Sequence, residues 1–161
     1  MPTLDALGNI GEFVGAIGVV VSLLYLARQM QMNTNSVRAA SYNSMSENSI
    51  RLLEHAFRDS EFADFLVRAE ADPSTLTRSE CLRWDSYMTA AFRHFGNLVY
   101  QRRVGALDEG MWLSYERTLE RHLKVPSWAA WYRKNSALFS DALTRQVEKT
   151  LSHIEEERGE G

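Results

Sequence analysis

An all-α fold is predicted: one N-terminal transmembrane helix followed by a cytoplasmic bundle of about five helices. Three observations carry this expectation. Residues Ala6 to Ala27, ALGNIGEFVGAIGVVVSLLYLA, form an apolar run with Glu12 as its only ionisable side chain. Downstream, apolar residues recur at i, i+3 and i+4 rather than in alternation. Pro73, Gly105 and Pro126 fall between those stripes.

The apolar run comes first. At 1.5 Å per residue, Ile10 to Ala27 covers about 27 Å, close to the roughly 30 Å hydrocarbon core. A cleavable leader fits less well: MPTLD has no basic residue, and Tyr25 stands where cleavage after Ala27 needs a small one. A buried helix of a soluble domain is the other reading of such a run. Arg28 and Arg38 follow it and only Asp5 precedes it, so the positive-inside rule places the N-terminus outside and the remainder in the cytoplasm. The expected location is a bacterial inner membrane.

Residues 1–28 are therefore read as tail and membrane helix, and 29–58 as a helical neck. The neck lacks Pro and Gly, but SYNSMSENS is poor in helix formers and suggests a break near Asn43 to Asn48. The bundle is expected over 59–154. A short helix holds Phe62, Phe65, Leu66 and Ala69, and Pro73 ends it. Thr77 and Glu80 have capping-box spacing. They open a helix striped by Trp84, Met88, Ala91, Phe92, Phe95 and Leu98, and Gly105 suits its stop. A fourth helix runs from about Asp108 to Lys124. A short one begins at Pro126, and a last one carries Phe139, Leu143, Val147, Leu151 and Ile154. The charged end, 155–161, is expected to fray.

The stretches GEFVGAIGVVVSLLYLARQ and HFGNLVYQRRVGALDEGMW resemble a broad group of uncharacterised bacterial proteins that pair a membrane segment with a helical region. The resemblance implies an all-helical, membrane-anchored protein and carries no activity, cofactor or catalytic residues.

Composition narrows the function classes. A net charge of −3 argues against nucleic-acid binding, which draws on a basic face. The single Cys81 cannot form an intrachain disulfide, in keeping with a reducing compartment. His55, His94, His122 and His153 show no metal-ligand spacing, and there is no phosphate loop or nucleophile motif. No metal, cofactor or catalytic residue is expected, and an enzyme is not. Arg93-His94 and Arg102-Arg103 are the places where an anion site could arise, against the plainer reading of exposed helix charge.

Three features could carry function. Gly8, Gly11, Gly15, Gly18 and Ser22 are spaced 3, 4, 3, 4 and lie within about 80° of one helix face. Each glycine costs roughly 1 kcal/mol of helix propensity against Ala, which close helix packing in lipid can offset. The same step continues through Tyr25, Gln29, Met32, Ser36, Ala39 and Asn43. Glu12, beside this seam, is either an intramembrane ionisable site or a headgroup-level carboxylate. Trp128, Trp131, Tyr132, Arg133 and Lys134 combine interfacial aromatics with cations, so they could touch the membrane surface or form ordinary core. The expectation is a structural or interaction protein, an accessory or scaffold subunit. Its partners would be membrane lipid and either copies of itself or subunits of a larger membrane complex. The alternative is a homo-oligomeric cation pore or proton-sensitive channel using Glu12.

Overall fold

The computed structural model describes the backbone of residues 2–159 and the side chains of 11–54 and 58–159. Among the described residues it contains six α-helices and no strand. They are α1 (Pro2–Arg58), α2 (Ser60–Ala71), α3 (Arg78–Arg103), α4 (Glu109–Leu123), α5 (Pro126–Asn135) and α6 (Asp141–Gly159). Short 3₁₀ turns at Pro73–Thr75 and Ser136–Leu138 complete the order. The chain divides into two compact units, Met1–Ala40 and Ser41–Gly161.

The first unit is helix alone. From Gly11 to Ala40 every residue is exposed. An 18-residue stretch here has a mean hydropathy of 1.7, with none of it buried, so the helix is long and apolar enough to cross a membrane. Its hydroxyls turn back onto their own backbone: Ser22 donates to Gly18 O at 2.8 Å, Thr34 to Met30 O at 2.9 Å and Ser36 to Met32 O at 3.0 Å.

The second unit begins inside α1. The break expected at Asn43 to Asn48 is absent, and the helix runs on to Arg58. Two causes outweigh weak propensity. Met45 is 1% exposed and joins the hydrophobic core, with Leu52 packed beside it. Ser49 donates to Met45 O at 3.0 Å, so its hydroxyl does not compete for the helix backbone. The boundary thus falls after Ala40, and the last turns of the expected neck belong to the bundle.

Caps define the bundle's helices. Asp59 accepts the Glu61 and Phe62 amides at 3.0 and 3.2 Å and starts α2. Asp72, extended before Pro73, stops it. Thr77 and Glu80 form the capping box of α3. At its far end Gly105 N–H donates to Arg102 O and Ala106 N–H to Gln101 O, a Schellman closure that needs the left-handed Gly105, φ 74°. Asp108 caps α4 through the Met111 amide at 2.9 Å, and Pro126 occupies the first turn of α5.

The core is built on α3, which packs against α4 and α6, while α2 packs against α5. Phe92, fully buried, lies at its centre with the rings of Phe95, Trp128, Trp131, Tyr132 and Phe139 around it. The expected fraying from residue 155 is not found as far as Gly159. There α6 stays helical, Glu155 pairs with Arg133, and Arg158 donates to Lys124 O at 3.1 Å.

Candidate functional site

Two surfaces matter, one in each unit. On α1, a Cβ added at Gly11, Gly15 or Gly18 would meet nothing within 4 Å. With the Ser22 hydroxyl folded back, these residues leave a low strip on one helix face, bordered by exposed Val14 and Val19. The surroundings of Gly8 lie outside the described side chains. Tyr25, Gln29, Met32, Ser36, Ala39 and Asn43 are all exposed along the continuing step. Glu12 is exposed and has no ion-pair partner among the described residues.

Of the two readings of the α5 aromatics, burial supports ordinary core. Trp128, Trp131 and Tyr132 are core, at 1%, 8% and 2% exposed, and are not available to a membrane surface. Their polar atoms are taken up inside the bundle. Trp128 Nε1 donates to Glu70 at 2.9 Å, Trp131 Nε1 to Asp85 at 2.7 Å, and the Tyr132 hydroxyl meets Thr144 at 3.1 Å. Carboxylates of α2 and α3 thus satisfy the indoles that a headgroup layer would otherwise serve. Only Arg133 and Lys134 remain on the surface, and Arg133 is paired with Glu155 at 2.9 Å.

Two histidines sit within the bundle. His94 Nε2 lies 3.0 Å from Ser49 Oγ, and His122 stacks on Trp128 with centroids 4.2 Å apart. Burial lowers the pKa of His94 below the ordinary value. Burial, with Arg121 adding to it, pushes His122 down to about 4. Both are neutral at pH 7. Ser49 Oγ lies within hydrogen-bond distance of both Met45 O and His94 Nε2, and the histidine tautomer decides which of the pair donates. No group of three metal-ligating side chains occurs among the described residues, and His55 lies outside the described side chains.

The two arginine pairs part company. Arg102 binds Glu109 at 3.0 Å and lies 4.6 Å from the Trp112 ring centroid, so its charge is engaged. Arg93 and His94 instead line an open groove of about 450 Å³ with Asn48, Arg51 and Asn97. The groove shares Leu52 and His94 with a narrower pocket of about 280 Å³, walled by Phe95, Tyr115 and Trp128. Sequence spacing could not reveal this grouping, because Asn48 and Arg51 come from α1 and the others from α3. The only local signal was the Arg93-His94 dipeptide.

No protein-family model, curated protein or solved structure matches this chain.

Proposed function

We propose that this chain is a single-pass inner-membrane protein that acts as an interaction or scaffold subunit. Its N-terminus would lie outside and its helical bundle in the cytoplasm. One observation carries the reading: α1 presents a glycine strip that nothing among the described residues covers, flanked by exposed apolar side chains. A soluble protein would bury such a surface, whereas lipid tolerates it. Within lipid, close approach of backbones gives the strip a use as a packing face for a second membrane helix. The occupant is another copy of this chain or a subunit of a larger membrane complex.

Gly15→Leu tests the packing face. It fills the strip without removing apolar character, so the protein should stay in the membrane fraction while its native mass in mild detergent falls. An unchanged mass and unchanged co-purifying chains would sink the reading. Orientation has its own test. Cys81, the lone cysteine, is exposed in the bundle. A membrane-impermeant maleimide should label it only after cells are permeabilised, and labelling in intact cells would reverse the topology.

A further inference from the structure

Arg51 and Arg93 reach the same groove from different helices, and no carboxylate lines it. Among the described residues neither guanidinium has an ion-pair partner, and neither Asn48 nor Asn97 has a side-chain hydrogen bond. Asp59, which lines a neighbouring groove with Arg51, accepts the Glu61 and Phe62 amides on its Oδ1. Two forked cations and two amides facing one space suit an oxyanion, which planar guanidinium groups bind through paired N–H donors. The groove shares the side chains of His94 and Leu52 with the adjacent pocket walled by Phe95, Tyr115 and Trp128. That pocket sets apolar walls beside polar side chains, among them Ser114, Thr118 and Arg121, and a largely apolar cavity with a few polar groups is the common form of a small-molecule site. His94 lines both cavities, with its Nε2 3.0 Å from Ser49 Oγ, and burial disfavours its charged form.

The geometry points to a binding site for a small amphiphile with an oxyanion head, phosphate or carboxylate. The head rests between Arg51 and Arg93, and a short apolar tail passes Leu52 toward Phe95 and Trp128. The site belongs wholly to the second unit and does not draw on residues 1–40.

The test uses the full chain in phosphatidylcholine nanodiscs, with hexyl phosphate, inorganic phosphate and hexanol titrated by calorimetry. Hexyl phosphate should bind saturably and at least tenfold tighter than either fragment. The double variant Arg51→Gln, Arg93→Gln should lose at least tenfold in affinity. Its unfolding temperature without ligand should be unchanged, because both side chains are exposed. Ser114→Phe places a ring at the exposed mouth of the apolar pocket. It should bring hexyl phosphate down to the affinity of inorganic phosphate while leaving inorganic phosphate unaffected. No saturable binding, full affinity in the double variant, or equal binding of hexyl and inorganic phosphate would each overturn the assignment. Phosphatidylglycerol nanodiscs separate the two sources of such a head. Weakened hexyl phosphate binding there identifies a lipid headgroup as the competitor, and unchanged binding identifies a free small molecule; both uphold the site.

Discussion

The two units handle apolar surface in opposite ways. In Met1–Ala40 the described large apolar side chains are all exposed, from Ile17 at 48% to Tyr25 at 69%. In Ser41–Gly161 the aromatic and aliphatic residues at helical spacing are almost sealed, with Phe92, Met88, Leu98 and Val147 at 0%. Burial in water drives the second arrangement, at roughly 25 cal/mol per Å² of apolar surface removed. It has no counterpart in the first, where close packing of small residues is the remaining source of specificity. The same chemistry, apolar side chains on a helix, therefore builds a core in one unit and a contact face in the other.

The largest effect should come from separating the units. A chain beginning at Ser41 keeps Met45 and the whole core, so it should leave the membrane fraction and still melt in one cooperative transition, seen by circular dichroism. Loss of the transition would mean that the bundle depends on residues 1–40. Next is Phe92→Ala, which opens a cavity where five rings meet. It should cost about 3–5 kcal/mol in urea unfolding without altering membrane fractionation. A cost under 1 kcal/mol would show that the aromatic cluster is not the bundle's keystone.

Acid should divide the units as well. His122 is held at about 4 when folded, against an ordinary value of 6.5. Between those pH values the unfolded chain takes up a proton that the folded bundle refuses. The stability linked to His122 is complete above pH 6.5 and drains away as pH falls toward 4, on the order of 2–3 kcal/mol. His94, lowered in the same direction, adds to the trend. His122→Phe keeps an aromatic ring against Trp128 and should flatten much of this slope in melts run from pH 7.5 to 4.5. An unchanged slope would assign the acid sensitivity elsewhere. Thr77→Ala should cost about 1 kcal/mol through loss of the α3 cap. Smallest of all, Glu155→Gln should leave stability within error, because both members of the Arg133 pair are largely solvated, at 58% and 66% exposed.

Most of the bundle was legible because its signals are local. Thr77 and Glu80 announce a helix start, Gly105 a stop and Pro126 a start, and the Trp84 to Leu98 stripe faces inward as its spacing requires. Where the reading failed, a distant contact decided the outcome. The polar run Asn43 to Asn48 is weak helix by propensity, yet Met45 in its midst is anchored in the core. Glu155 and Arg158 reach back to residues of α5 and its preceding turn, so the charged end stays helical as far as Gly159. The α5 aromatics could not be placed from composition, because an indole serves equally well at a bilayer interface or against a carboxylate on a neighbouring helix. Glu70 and Asp85 settled it, and they lie 58 and 46 residues from their partners. The Arg51–Arg93 groove was illegible for the same reason.

The paired anchoring of Trp128 and Trp131 has an optical consequence. Each indole N–H is committed to a carboxylate, and Trp128 also lies face to face with the His122 ring. Protonating Glu70 or Asp85 would change the local field on an indole, and protonating His122 would open a quenching route for Trp128. Fluorescence spectra recorded along an acid titration would then separate loosening of α5 from collapse of the bundle, with no dye or label attached.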